Sequence, residues 1–446
     1  MDDASIKFRT ILLFGTVAFP LGMIGLPIAI YLAPLYSGQL EIGLGIIGAA
    51  LIGTRLLDFV TDPLIGIVSD RWRPKMGRRR VWLIIGTLTL GAGIYMLFCP
   101  PAGITAVYFV LAVSLAYLGL TTLRLPYTAW AAEISPDYHA RTKISSTTQF
   151  FAIAGLLAST IIPAVLIARY DADSLEIMRA IGWTIIVLLP ITSTIVYFTV
   201  PEPDAPTTTT KFDFRKAAST ILTNGPFIRL TLASLVATLG ETFRQSTTIF
   251  FARDVVGVQN IGQVYLFYFI AALVFIPVWS MLAKRMEKHR ALIMALLIVA
   301  LTNGLMVFLS EGDNALFYAL FVLKGACYGG VVVLPYAMIA DTVDVDTAES
   351  LDRQQGLFYS VEAMVQKLGS ALGAGIPLIL LAVVGYNAAG ETQAEPLFAL
   401  SLIYSLIPSA LVLIAAFMVV GYSLTASKQV ELRGQIADRK SQLSES

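Results

Sequence analysis

Residues 56–80 read LLDFVTDPLIGIVSDRWRPKMGRRR, and the change of character along that stretch decides the fold. Its first half is apolar, interrupted by Asp58, Thr61 and Asp62; from Arg71 to Arg80, six of ten residues are basic. An apolar run of helical length that stops against a block of positive charge reads as a membrane span with a cytoplasmic end. The rest of the chain repeats the pattern. Of 446 residues, 57% are hydrophobic and 14% charged, against about 25% charged in soluble domains. A net charge of +1 predicts no nucleic-acid partner. Cys99 and Cys327 are the only cysteines, and His139 and His289 the only histidines. No disulfide framework, cysteine metal site or histidine-centred catalysis is therefore expected. The surviving class is an all-α polytopic membrane protein.

Twelve apolar segments are predicted to span, near 9–33, 41–70, 81–99, 104–134, 143–168, 180–200, 227–252, 260–283, 291–310, 314–341, 354–385 and 396–424. Basic residues gather in alternate connections: Lys7 and Arg9, the 71–80 block, Arg141 and Lys143, Lys211 to Lys216, Lys284 to Arg290, and the tail from Lys428. The other loops hold Arg169, Arg179 and Arg253. Both termini are thus expected in the cytoplasm. The longest polar connector, PEPDAPTTTTKFDFRK (201–216), divides the chain. The expected organisation is a six-helix bundle over 1–200, a linker over 201–226, a second six-helix bundle over 227–424 and a tail over 425–446. LPYTAWAAE (125–133) and LPYAMIAD (334–341) end the fourth span of each half, as two pseudo-symmetric transporter halves would.

Ionisable residues at bilayer depth are costly and point to function. The second span carries Arg55, Asp58 and Asp62, at relative helical angles of about 0°, 300° and 340°, on one narrow face. Arg124, Glu241, Arg244, Lys324, Glu362 and Lys367 are also inside spans. Together they predict a water-filled interior. Asp58 and Asp62, with hydroxyls from Thr61 and Thr121, form a candidate site for Na+ or H+, since hard cations take oxygen ligands. A static arrangement, in which both acids pair with Arg55 and Lys367, is the alternative. Glu241–Arg244 reads either as a fixed pair or as a substrate contact, and Lys324 as a packed, paired lysine. Tyr127 and Trp130 read either as a sugar platform or as packing.

GIVSDRWRPKMGRRR (66–80) resembles the helix 2–3 loop of the major facilitator superfamily. With LLDFVTDPLIGIVSDR (56–71), MIADTVDVD (338–346) and SVEAMVQKLGSAL (360–372), the whole chain resembles the glycoside–pentoside–hexuronide:cation symporters, typified by the melibiose permease. That resemblance implies a transporter, not an enzyme, working by alternating access without a cofactor beyond its coupling ion. It implies cation binding at Asp58, Thr61, Asp62 and Thr121, and coupling at Lys367. It further implies a cytoplasmic gate from Asp70, Arg71, Arg78, Glu133, Arg141, Asp341 and Arg353, a monomer, and a bacterial inner membrane. The family's sugar clamp is absent: no acid occurs near Pro20–Gly22, Arg124 replaces an aspartate and Gln149 an arginine. The expected substrate is therefore a small polar anion of glycoside or hexuronide type, met by Arg124, Tyr127, Trp130, Gln149, Glu241 and Arg244. LGETFRQSTTIFF (239–251) and IPVWSMLAKR (276–285) are similar to the vertebrate sodium-dependent lysophosphatidylcholine symporter. A lysolipid or other amphiphile is thus the second candidate. Asp344-Val345-Asp346 resembles a glycosyltransferase D-x-D, expected here in the loop between the tenth and eleventh spans.

Overall fold

In the computed structural model the described residues are 8–135, 138–202, 214–350, 355–390 and 393–445, and no strand occurs among them. We label the long helices α1 (Phe8–Ile30), α2 (Leu44–Arg71), α3 (Arg80–Phe98), α4 (Ala106–Glu133), α5 (Tyr138–Tyr170) and α6 (Ser174–Thr199). They continue as α7 (Gly225–Phe251), α8 (Ile261–Met286), α9 (Lys288–Leu305), α10 (Asn314–Ser350), α11 (Gln355–Val383) and α12 (Ala394–Val419), and α13 (Ala426–Glu445) follows them. Among the described residues, eleven helices are long and apolar enough to cross a membrane. The seventh expected span, 227–252, also forms a helix, α7, but its Glu241, Arg244, Gln245 and run of hydroxyls make it too polar to count by composition.

Local chemistry explains the ends and bends. Asp173 and Glu176 form a reciprocal capping box at the start of α6, satisfying two orphan backbone donors. Asn224 caps α7 by accepting from Phe227 N–H. Pro20 and Pro27 break α1 into three short helical pieces, because proline removes a donor and crowds the preceding turn. α10 runs unbroken to Ser350, so Asp344 and Asp346 are helical rather than in a loop. This corrects the expected loop position, and two residues apart on a helix they point about 200° from each other, unlike a D-x-D pair that shares one metal.

The apolar pattern is inverted relative to a soluble protein. On α2, Leu56, Val60, Leu64 and Ile67 are each about half exposed, whereas Asp58 is 3% exposed. The apolar stripe suits lipid and the acid turns inward. α3 and α4 pack with backbones nearly touching: a Cβ on Gly119 would lie 2.4 Å from Leu90 N, and one on Gly93 2.5 Å from Ala116 Cα. Small residues at such crossings supply the dispersion contact that drives association where lipid competes for apolar surface.

Two compact units emerge. The first holds Met1–Thr207, Val258–Leu266 and Gly375–Pro396; the second holds Thr208–Gly257, Phe267–Ala374 and Leu397–Ser446. Within the first unit, Gly375 of α11 meets the backbone of Gly48 on α2, and Asn260 donates to Ala164 O at 3.0 Å. These contacts tie two late segments of the chain to the early helices. The core of the second unit gathers Phe227, Leu230, Leu292, Leu334, Met338 and Val412.

Gly119→Val forces the α3–α4 crossing apart. We expect a loss on the order of 1–3 kcal/mol, read as a lowered Tm of the purified protein, with Gly91→Val, where nothing lies within 4 Å, as the tolerated control.

Candidate functional site

In the first unit, α2 and α4 enclose a cavity of about 330 Å³ whose wall includes Asp58, Thr54, Thr61, Ser114 and Tyr117. Asp58 meets Arg55 one turn earlier at 3.4 Å, and the Arg55 guanidinium lies 4.1 Å from the centre of the Tyr117 ring. A buried carboxylate bordered by three hydroxyls is a donor set suited to a hard cation. Asp62, one turn further on, is half-buried and does not line this wall, nor does the buried Thr121. The structure thus brings Asp58 and Thr61 together, and adds Thr54 and Ser114, which sequence reasoning missed. Serine and threonine are common in apolar helices, and nothing local marks these two.

The second unit holds a cavity of about 280 Å³. Glu241, Thr238, Thr242 and Gln245 of α7, Lys324, Tyr328 and Tyr336 of α10, and Gln366 of α11 supply its polar wall. Glu241 sits between two cations, Arg244 at 2.8 Å and Lys324 at 2.6 Å. Arg244 is completely buried. It reaches Tyr404 OH at 3.2 Å and Thr248 Oγ1 at 3.3 Å, and lies over the Phe321 ring at 4.8 Å. It braces Glu241 from behind and does not line the cavity, while Lys324 does. One carboxylate against two cations leaves a formal positive charge beside the cavity. Uncompensated charge of that kind favours an anionic guest. A signal existed in the sequence: Thr231, Ser234, Thr238, Glu241 and Gln245 recur at three- and four-residue spacing, one polar stripe along α7.

At the ends of α2 and α4, Arg79 bridges Asp70 at 2.7 Å and Glu133 at 2.6 Å, and Arg78 reaches Glu133 at 2.6 Å. Arg79 also donates to Ser69 Oγ, and its backbone N–H donates to Glu202. Burial works against its charge, but Glu133 and Asp70 outweigh that and hold the guanidinium above its usual range. The turn before it depends on Gly77, whose φ of +107° favours glycine and whose Cβ would strike the Glu202 carboxylate. Arg71, expected in this cluster, is exposed and outside it; the turn delivers Arg79 instead. In the second unit Asp341, at the matching place of the repeat, pairs with Lys288 at 2.6 Å.

Other expected site residues fall elsewhere. Tyr127 is buried, stacked on Phe14 at 4.5 Å, and donates to Phe14 O at 2.7 Å. The Trp130 indole donates to Pro201 O at 3.3 Å. Both therefore pack rather than platform a sugar. Arg124 and Gln149 are exposed and line neither cavity. Lys367 is half-buried on α11. Arg141 is exposed and donates to Ser135 O at 2.7 Å. Arg353 lies outside the described residues.

A family model described as MFS/sugar transport protein matches residues 13–426. The inner membrane symporter YicJ of Escherichia coli (strain K12) is 24% identical over 429 residues, 93% of this chain and 91% of the relative. The glucuronide carrier protein homolog of the same organism is 24% identical, covering 92% of each chain. Sodium-dependent lysophosphatidylcholine symporter 1-A of Danio rerio is 20% identical over 84% of this chain and 78% of its own. Among solved structures, a bacterial homologue of the human lysosomal transporter Spinster matches with a TM-score of 0.67 at 12% identity, covering 98% of this chain and 99% of that one. That likeness shows a shared fold.

Replacing Arg79 with alanine leaves Glu133 and the exposed Asp70 to Arg78 alone, at 2.6 and 3.7 Å. We expect a loss on the order of 1–2 kcal/mol, whereas Arg71→Ala changes stability by less than about 0.5 kcal/mol; thermal melts of the two variants side by side check the assignment.

Proposed function

The chain belongs to the MFS/sugar transport protein family, a family of membrane transporters and not of enzymes, and on that premise we propose that it is a cation-coupled symporter of an anionic glycoside or hexuronide. The carrying observation is the second-unit cavity, where Glu241 faces both Arg244 and Lys324 and a positive charge is left over. The glucuronide carrier homolog among the relatives supports an anionic sugar. The coupling cation, Na+ or H+, would take Asp58 with Thr54, Thr61 and Ser114; Asp62 and Thr121 stay assigned to cation binding, and Lys367 to coupling, by resemblance. In this reading the protein sits in a bacterial inner membrane with both termini cytoplasmic, and the Arg78–Arg79–Asp70–Glu133 cluster latches its cytoplasmic side. Substrate and cation exposure alternate, and each must raise affinity for the other by the same factor.

A second reading is favoured by the rest of the same wall. Leu230, Ala233, Leu292, Leu296, Val299 and Val412 line it, enough apolar surface for an aglycone or an acyl chain. An amphiphile with a charged head, such as the lipid named in the zebrafish relative, would use Glu241 and Lys324 at one end and this surface at the other.

Thermal stabilisation separates the readings, since a ligand at a hundred times its Kd adds about 2.7 kcal/mol. Stabilisation by p-nitrophenyl glucuronide and not by lysophosphatidylcholine supports the hexuronide; the reverse result supports the amphiphile. Lys324→Gln should weaken the glucuronide roughly tenfold to a hundredfold, the worth of a charge-assisted hydrogen bond. The neutral p-nitrophenyl glucoside should lose much less, and equal losses would count against the charge argument. Asp58→Asn should remove the dependence of substrate affinity on sodium or pH while the melt in detergent stays cooperative.

A further inference from the structure

Glu362 lies on α11 behind the wall of the second-unit cavity and is 1% exposed. Its Oε1 accepts from the Gln366 amide at 3.0 Å. Thr231 and Ser234 on α7 turn their hydroxyls toward this carboxylate, but Oε2, Thr231 Oγ1 and Ser234 Oγ stop short of a well-formed hydrogen bond. No ion pair to Glu362 occurs among the described residues. Three buried polar oxygens gathered at one point without a well-formed hydrogen bond are rare, because each has given up its hydration. Close packing holds them there: α11 meets α7 at Gly369 and Gly373, where a Cβ on Gly373 would lie 2.7 Å from Leu239 O.

We propose that Glu362, with Thr231 and Ser234 as acceptors, is a proton-binding site distinct from the Asp58 site. A proton from the cavity adds to Oε2; the carboxylate becomes a carboxyl, and its new O–H donates to one of the two open hydroxyl oxygens. Release is the reverse, and no other reactant is needed. Protonation removes a buried negative charge that has no ion pair among the described residues, and it completes a hydrogen bond to a facing hydroxyl in the same step.

The surrounding charges do not supply an alternative partner. Glu241 lies seven residues beyond Ser234 on α7, about 10 Å along the axis, and is held by Arg244 and Lys324. Arg229 donates to the carbonyls of Met418, Val420 and Gly421. Lys367 is five residues from Glu362 on α11, turned about 140° away. On α10, Asp341 pairs with Lys288 of α9, and Asp344 lies one turn further on. The site is also wired to the cavity: Ser234, Thr238 and Gln366 line its wall, and Thr238 Oγ1 donates to the Gln366 oxygen. The Gln366 amide thus joins Glu362 on one side to the cavity on the other, within about one helical turn of Glu241.

Infrared spectra of the purified full chain in sodium-free buffer, recorded as pH is raised from neutral, test this directly. Wild type should show the carbonyl stretch of a protonated carboxyl that disappears with rising pH. Glu362→Gln should lose that band, and Asp58→Asn should keep it. Thr231→Val with Ser234→Ala leaves the carboxyl in place but removes its acceptors, so the band should shift to higher frequency. That variant also serves if Glu362→Gln does not fold. A band that survives Glu362→Gln, vanishes in Asp58→Asn alone, or stays unmoved in the double variant would overturn the proposal, as would its absence from wild type. None of these outcomes depends on which substrate is carried.

Discussion

Hydrocarbon does not solvate charge, and most of this molecule follows from that one constraint. A charge at bilayer depth must be paired, hydrated in a cavity or neutralised. The chain meets the requirement in three ways. Arg244 is fully buried and spends its donors on Glu241, Tyr404 and Thr248 while lying over an aromatic face. Asp58 and Lys324 border cavities. Glu362 has no ion pair among the described residues and does not border the cavity, which leaves neutralisation, the route proposed for it above.

The backbone is bound by the same constraint. Helices are the form in which a spanning segment satisfies its own donors and acceptors, so prolines within α2, α4, α10 and α12 are affordable only because the rest of each ladder and the packed neighbours remain. Helix association cannot rely on apolar burial against lipid, and glycine supplies the alternative. Gly93 and Gly119 at the α3–α4 crossing, and Gly369 and Gly373 at α7–α11, bring backbones together. At the second crossing this closeness has a chemical consequence, because it sets Glu362 and Gln366 of α11 against the hydroxyl stripe of α7.

The helix-end clusters connect the sequence repeat to geometry. Glu133 and Asp341 end the two LPY segments, and each meets a basic residue from the connection after the second or eighth helix: Arg78 and Arg79 in one unit, Lys288 in the other. The repeat is thus chemical as well as textual. Its two copies differ in strength: the first is a four-residue network with a serine and a backbone contact added, the second a single pair.

By itself, the sequence determined what is local. Segment length and hydropathy placed the helices, charge blocks marked their ends, and helical period put Arg55 and Asp58 on one face, because a 3.6-residue repeat needs no knowledge of neighbours. The α7 stripe was also legible, though unread. Only the tertiary structure decided that Arg79 joins Arg78 at Glu133 while Arg71 stays outside, since that depends on the turn at Gly77. It alone sent Tyr127 and Trp130 to packing, left Asp62 out of the wall that holds Asp58, and set Thr238 against Gln366, 128 residues apart. Those outcomes depend on how helices cross, and a crossing is settled by the shapes of two surfaces that no single stretch of chain contains.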